Sequence, residues 1–280
     1  MSSAPPAAPG TATLDTGRAV AVGMPPRPRP AQPYGLIWTL IRTDFKSRYH
    51  GTLSGFVWAL LKPLAMFVVL SAVFSIVFRN DQTYRLDLLI GLFLWDFFAE
   101  GTKTGLIALH ARGFLLTRAR FRSWILVVTS MSNALITISV FTATLLLFLG
   151  VIGRPPQAAA FALYLCYVLL MAVMIIGFSL GGSVLFLRYR DLNQVWDVVT
   201  QAGFFVAPII YPLSIIPERF HYYLYLWPPT PIIQFSRTVL IDGAIPSFKA
   251  HLFLAAASLT ILVIGALVFR RSAPQVAEFL

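Results

Sequence analysis

Charge and cysteine are both scarce in this sequence of 280 residues. Charged residues make up 12% of the chain and hydrophobic residues 58%, whereas soluble domains carry about 25% charge. The single cysteine, Cys166, excludes an internal disulfide and a metal cluster built from cysteines. The four histidines lie far apart in the sequence. We therefore predict a membrane protein without a metal site.

Signatures of enzymes are also missing from the sequence. It contains no GxxxxGK[ST] loop, so the chain does not bind ATP through a Walker motif. It has no HExxH zinc motif and no Asp-x-Asp sugar-nucleotide motif. We predict no catalytic residue and no cofactor bound by this chain, and these absences disfavour a membrane-embedded glycan enzyme.

Long apolar runs are abundant. A membrane-spanning helix needs about 20 apolar residues. Runs of this kind lie at 53–78, 88–109, 124–150, 158–187, 194–213 and 249–270. The sequence therefore predicts an all-α membrane protein with six transmembrane helices in a domain covering 51–280.

The distribution of lysine and arginine predicts the orientation of these spans. Basic residues near span ends favour the cytoplasmic side. One side would hold Arg42, Lys46, Arg48, Arg112, Arg118, Arg120, Arg122, Arg188, Arg190, Arg270 and Arg271. The other side would hold the smaller set Arg79, Arg85, Arg154, Arg219 and Lys249. Both termini are therefore predicted to be cytoplasmic.

The chain before the first span has two parts. Residues 1–33 are rich in Pro, Ala, Gly, Ser and Thr and lack the apolar content for a core, which predicts a disordered cytoplasmic tail. It has no apolar h-region, so it is not a secretory signal peptide. Residues 34–50 carry apolar residues at helical spacing, with Trp38 and basic residues on the boundary. This pattern predicts an amphipathic helix in the membrane interface.

The segment 214–241, between the last two spans, has an intermediate character. It is too polar to cross the membrane twice and too aromatic for a simple solvated loop. We predict a re-entrant periplasmic hairpin of two short helices, divided by Pro228, Pro229 and Pro231. The alternative is an aromatic anchor lying on the membrane surface.

Three charged residues lie on one face of the second span. Asp96, Glu100 and Lys103 are spaced at i, i+4 and i+7, and such charges must avoid lipid. A proton-coupled transporter would use them as a relay. We favour the alternative in which Glu100 and Lys103 satisfy each other one turn apart.

Charged residues also occur in two other spans. Lys62 precedes Pro63 within the first span, where its ammonium would reach the interface, Glu100 or an anionic ligand. Asp197 is predicted to pair with Arg188 or Arg190.

A basic segment follows the second span. In ARGFLLTRARFRSW, at 111–124, apolar residues interleave with four arginines. Such a segment can lie on anionic lipid or dock in a groove of a cytoplasmic partner.

Several motifs in their order resemble one known family. The first is FKSRYHGTLSGFVWALLKP, which runs from the interface helix into the first span. The others are GLFLWDFF, FLRYRDL at 186–192, APIIYPLSIIPE at 207–218 and PPTPIIQFSRTVLIDG at 228–243. Together they resemble the permease subunit of ATP-binding-cassette exporters for lipid-linked polysaccharides, of the O-antigen, capsule and teichoic-acid type. The resemblance covers nearly all of the chain after Tyr34. It departs at Lys62, where such permeases often have glutamine, and at 227–229, where they usually have Asn-Pro.

The resemblance implies a homodimer in the bacterial inner membrane, served by two copies of a separate ATPase subunit that binds ATP and Mg. The substrate would be a polyprenyl-diphosphate-linked glycan, and no nucleic-acid partner is expected. Residues 111–123 would form the coupling helix. The implied ATPase-coupling residues are Arg42, Asp44, Phe114, Leu115, Arg118, Arg120 and Phe121.

The implied substrate suggests two further groups of residues. A diphosphate needs cations at the inner membrane face, and the candidates are Lys46, Arg48, Tyr49 and Lys62. Residues that would line the route of the glycan are Trp95, Phe98, Glu100, Phe204, Phe205 and Tyr211. The alternatives are a drug or lipid exporter permease and the proton-coupled transporter.

Overall fold

The computed structural model describes residues 33–49, 53–78, 83–115 and 122–272, and within these ranges every regular element is a helix. The prediction of an all-α protein is confirmed for this part of the chain. The predicted tail lies almost wholly outside the described residues. The same holds for Arg118, Arg120 and Phe121 of the predicted coupling helix.

The helices follow one another with short connections. They are α1 Pro33–Tyr49, α2 Leu53–Val77, α3 Tyr84–Leu106, α4 Ala108–Arg112, α5 Trp124–Ser130, α6 Ser132–Val151, α7 Ala158–Arg188, α8 Leu192–Val206, the 3-10 turn Leu213–Ile215, α9 Glu218–Tyr225, α10 Pro229–Leu240 and α11 Phe248–Ser272. Four described segments are long and apolar enough to cross a membrane. These are Leu60–Val77, Trp124–Val151, Ala158–Arg188 and Phe248–Ser272.

One predicted span is shorter than its apolar run. The fifth run extends to residue 213, but α8 ends at Val206. Pro208 follows closely, and the residue before a proline is pushed out of helical conformation. Ala207 accordingly adopts φ −67° and ψ 129°. The predicted boundary is therefore wrong because the apolar run continues past a proline that ends the helix.

The segment between α8 and α11 contains two short helices. α9 and α10 are separated by the turn at 226–228. Pro229 is the first residue of α10, and Pro231 also lies in its first turn. Proline is tolerated there because the first amides of a helix have no acceptor within the helix.

Helix α3 lies at the centre of the structure. It packs against α2, α6, α7, α8 and α10, and most of its side chains are buried. Phe93 of α3 stacks on Phe141 of α6 with ring centroids 4.3 Å apart. Because α3 is covered on most sides by protein, it can carry charged residues without turning them toward lipid.

The closest helix pair is α7 with α11. A Cβ added at Gly177 would lie 2.5 Å from the Cα of Leu262, and one added at Gly265 would overlap the carbonyl oxygen of Gly177. The two backbones therefore touch without side chains between them. Small residues permit such close approach between membrane helices.

Helices α2 and α8 lie at the periphery. Trp58, Val68 and Ile76 of α2 are 65%, 62% and 62% exposed. Of the 15 residues of α8, Gly203 is the buried one. These two helices consequently present apolar surface outside the packed core.

The glycine contact yields a stability prediction. Replacing Gly177 or Gly265 with alanine should destabilise the protein by about 1–3 kcal/mol, because overpacking forces the two backbones apart. The melting temperature of the purified protein in detergent measures the effect.

Gly150 provides the matched control for this experiment. A Cβ at Gly150 meets nothing within 4 Å, so Gly150→Ala should leave the melting temperature unchanged or raise it slightly. If Gly177→Ala and Gly265→Ala behave like Gly150→Ala, the close contact of α7 with α11 is refuted.

Candidate functional site

A groove of about 800 Å³ lies between α2, α3 and α8. It is the candidate functional site, because its walls combine a broad apolar surface with a few polar groups. The residues that line it are Lys62, Pro63, Ala65, Met66 and Val69 of α2, Leu92, Trp95, Asp96 and Ala99 of α3, and Asp197, Thr200, Gln201, Phe204 and Phe205 of α8.

The aromatic side chains of the groove come from two helices. Trp95 of α3 and Phe204 of α8 contact each other edge to face, with centroids 5.8 Å apart. Phe205 is 61% exposed on the same wall. Aromatic faces beside carboxylates and an amide suit a ligand that has both apolar and hydroxyl-bearing surfaces.

An ion pair joins α3 to α8 at the edge of the groove. Lys103 Nζ lies 2.6 Å from Asp197 Oδ1. The prediction that Asp197 pairs with Arg188 or Arg190 is therefore wrong. Arg188 ends α7 and Arg190 follows it, whereas Asp197 sits on the side of α8 that faces the end of α3.

This pairing also bears on the proton-relay alternative. Lys103 is bound across the helix interface to Asp197, whereas Asp96 lines the groove and Glu100 does not. The ion-pair partner of Lys103 therefore lies on α8 and not on α3. Next to Lys103, Thr102 accepts a hydrogen bond of 3.0 Å from the indole nitrogen of Trp196.

Two predicted route residues have other surroundings. Phe98 is 4% exposed and packs behind Trp95, against Trp196 and Trp227. The hydroxyl of Tyr211 donates to the carbonyl of Phe205 at 3.0 Å. It therefore satisfies a carbonyl at the end of α8, which has no partner within the helix.

The described residues of α1 and of the basic segment do not line the groove. Arg42 and Lys46 are exposed on α1, which packs against α2, α5 and α6. Phe114 is 58% exposed, and Leu115 packs against a small cluster that includes Leu109. The side chains of Asp44, Arg48 and Tyr49 lie outside the described part of the structure.

A buried arginine, missed by the sequence analysis, fixes one end of the groove-lining helices. Arg237 of α10 is 5% exposed. Its guanidinium donates to the carbonyls of Asp87 (2.9 Å), Pro208 (2.6 Å) and Ile209 (3.1 Å). The carboxylate of Asp87 lies 3.6 Å from its Nε. One side chain thereby connects α10, the start of α3 and the segment that follows α8.

Close packing surrounds this arginine. A Cβ at Gly91 of α3 would lie 2.6 Å from a guanidinium nitrogen of Arg237, so glycine leaves the space that the guanidinium occupies. At the other end of α10, Trp227 contacts Trp95, and Gly203 of α8 gives room for its indole ring. α10 therefore packs against α3, and the residues at its two ends are linked to α8 by Trp227 and to the segment after α8 by Arg237.

A signal for Arg237 is present in the sequence. It is the one charged residue in the helix PTPIIQFSRTVL, and its neighbours Ser236, Val239 and Leu240 are buried. A charged residue in an apolar environment requires partners. The partners themselves are backbone carbonyls far away in sequence, so no residue pattern identifies them.

Comparison with known proteins identifies the family. Residues 35–241 match the family described as ABC-2 type transporter. The chain therefore belongs to the ABC-2 type transporters. It is a transporter permease and not an enzyme, as the resemblance predicted.

The particular relatives are polysaccharide exporters. The chain is 26% identical to the O-antigen export system permease protein RfbA of Myxococcus xanthus over 251 residues, which cover 87% of this chain and 95% of that protein. A Klebsiella pneumoniae protein of the same name is 25% identical, with 88% and 95% covered. The polysialic acid transport protein KpsM of Escherichia coli is 24% identical, with 82% and 91% covered.

Removal of the buried guanidinium is the test of its structural role. Arg237→Met removes the donor of the Pro208 and Ile209 carbonyls and a third hydrogen bond to Asp87. It should cost about 3–5 kcal/mol, which lowers the melting temperature by about 5 °C or more. Arg237→Lys should recover part of the loss, since an ammonium keeps the charge but does not span three separated carbonyls.

Arg219→Met is the control, because Arg219 is exposed on α9, where it lies over the ring of Phe220. Its effect should stay below about 1 kcal/mol. Equal melting temperatures for the variants at 237 and 219 would contradict the role given to Arg237.

Proposed function

We propose that this chain is the transmembrane subunit of an exporter that moves a polyprenyl-diphosphate-linked polysaccharide across the inner membrane. ATP hydrolysis in a separate subunit would drive the transport. The observation that supports this most is the groove with its aromatic and hydrogen-bonding walls, in a chain whose relatives are named for export of O-antigen and polysialic acid. Stacking aromatics and side-chain carboxylates suit sugar rings and their hydroxyls.

Six spans, rather than four, fit the proposed topology. α3 has 23 residues, which at about 1.5 Å per residue is about 34 Å, enough to cross the hydrocarbon core. Most of its side chains are buried against the surrounding helices. We propose that α3 is the second span.

The fifth span would combine α8 with the chain that follows it. α8 has 15 residues, which gives about 22 Å and is too short alone. The next residues, 207–210, are buried, and Arg237 provides donors for two of their carbonyls. Non-helical backbone is tolerated at membrane depth where protein satisfies it. α9 and α10 would then form the re-entrant hairpin on the periplasmic side.

The proposed assembly has two copies of this chain and two ATPase subunits. The exposed apolar faces of α2 and α8 would meet lipid or the second copy. Both termini would be cytoplasmic, with α1 in the interface. The contacts with the ATPase would come from Arg42, Asp44, Phe114, Leu115, Arg118, Arg120 and Phe121.

The substrate would approach from the inner leaflet. Lys46, Arg48, Tyr49 and Lys62 would receive its diphosphate, and Lys62 lies at the groove itself. The glycan would then pass Trp95, Phe204 and Phe205 on the groove walls. Phe98, Glu100 and Tyr211 would support this route from behind the wall or from its end.

Depletion of the protein tests the proposed function. Polyprenyl-diphosphate-linked glycan should accumulate inside the cells and disappear from their surface, because synthesis continues while export stops. The measurement is extraction and quantification of the glycan in both pools. Expression of the wild-type chain from a plasmid should restore the surface pool.

Unchanged glycan in both pools would reject polysaccharide export. A drug or lipid exporter would then be favoured if cells became sensitive to apolar compounds or changed in their lipids. A proton-coupled transporter would be favoured if transport persisted without ATP.

The diphosphate site has its own test. Replacing Arg48 and Lys62 together with glutamine should lower the substrate-stimulated ATPase rate of the assembled transporter, because two cations no longer attract the headgroup. Arg219→Gln, on the exposed surface of α9, is the control and should keep the stimulated rate. Normal stimulation and normal export in the double variant would exclude the proposed site.

A further inference from the structure

The ion pair between Lys103 and Asp197 has the properties of a reversible contact. Its side chains are 49% and 44% exposed, and ion pairs with this degree of exposure contribute about 0–1 kcal/mol. Asp197 also lines the groove. Lys103 is connected to the groove by its hydrogen bond to Asp197. A ligand at this end of the groove would therefore compete directly with one partner of the pair.

The helix that carries Asp197 has few other attachments at this end. Trp196 donates its hydrogen bond to Thr102 and stacks on Phe178 of α7, with centroids 4.0 Å apart. Gly203, two turns further along α8, packs against the indole of Trp227. Release of Asp197 would therefore remove one of the links between the first turns of α8 and α3 and leave the contacts of Trp196 in place.

A second lysine lines the groove. Lys62 of α2 is exposed there and makes no ion pair with any residue that the structure describes. The acidic groups nearby are Asp96 on the groove wall and Glu100 one turn further along α3. Both carboxylates already take part in interactions of their own, whereas Asp197 is held by Lys103.

We propose that Asp197 is an exchangeable counter-anion. It neutralises Lys103 while the groove is empty, and a diphosphate displaces it by binding to Lys103 and Lys62 together. The displacement removes the ion pair that joins α8 to α3. This inference rests on the proposed function and adds Lys103 to the substrate site, with Asp197 as a regulator of affinity for the anion.

The signs of two single substitutions separate this role from a structural one. Asp197→Asn removes the competing carboxylate and leaves Lys103 available, so affinity for a diphosphate should rise. Lys103→Gln removes a cation and leaves an uncompensated carboxylate in the groove, so affinity should fall. If the ion pair merely holds α8 in place, either substitution breaks it equally, and the affinity should change in the same direction in both variants.

The experiment measures binding to the full-length permease in nanodiscs of phosphatidylcholine. Tryptophan fluorescence reports the titration, since Trp95 lines the groove and Trp196 adjoins the ion pair. The probes are farnesyl diphosphate, inorganic pyrophosphate and farnesol. With farnesyl diphosphate, Kd should fall about threefold to tenfold in Asp197→Asn and rise by a similar factor in Lys103→Gln.

Two control variants accompany these substitutions. Asp191→Asn changes the net charge equally at the exposed start of α8, away from the groove lining, and should leave Kd within twofold of wild type. The double variant Lys103→Asp, Asp197→Lys restores an ion pair and should match the wild-type melting temperature. Farnesol, which lacks the anion, should bind all variants alike.

Each outcome decides the matter. Equal weakening in both single variants, equal shifts with farnesol, or no binding of farnesyl diphosphate to either wild type or Asp197→Asn overturns the proposal. Opposite shifts with both diphosphate probes support the anion site. If pyrophosphate then binds as tightly as farnesyl diphosphate, the result supports the anion site but argues against a lipid-linked substrate. Loss of export on depletion tests the proposed function separately.

Discussion

The guanidinium of Arg237 is the constraint on which the arrangement of α3, α8 and α10 depends. The three carbonyls that it binds belong to Asp87 and to the chain just after α8. The carbonyls of Pro208 and Ile209 lie just past the end of α8, where the backbone has no intrahelical donors to offer them, and the carbonyl of Asp87 lies in the first turn of α3. A single buried side chain solves this problem and simultaneously fixes where α10 lies against α3.

This constraint divides α8 into two ends with different attachments. At the end near residue 206, Arg237 and the contact of Trp227 with Gly203 hold the helix through buried groups. At the end near residue 192, an exposed ion pair and the side chain of Trp196 provide the contact with α3 and α7. Motion of α8, if it accompanies transport, would therefore be largest near its first turns and smallest near its last.

Much of the fold follows from apolar run length. The boundaries of α7 and α11 agree with the predicted spans 158–187 and 249–270 within about two residues, because uninterrupted apolar sequence and helix coincide there. The prediction fails at α8, where the apolar run continues through Pro208 but the helix does not. Hydrophobicity reports where a chain avoids water, and backbone geometry decides where a helix ends.

The site was predictable only in part. The aromatic and basic residue types predicted Lys62, Trp95, Phe204 and Phe205 as site residues, and these four line one groove. The pairing of Lys103 with Asp197 was not predictable, because it depends on how α3 and α8 are placed. Partners distant in sequence are invisible to helical periodicity, which relates residues within one helix.

The backbone contact between α7 and α11 has a practical consequence. At Gly177 and Gly265 the two helices touch backbone to backbone, so no side chain at this contact could exchange rotamers to permit sliding or rotation. This pair is therefore a rigid reference frame within the molecule. Spectroscopic labels on the exposed faces of α7 and α11 would keep a fixed mutual distance, against which displacements of every other helix are measurable.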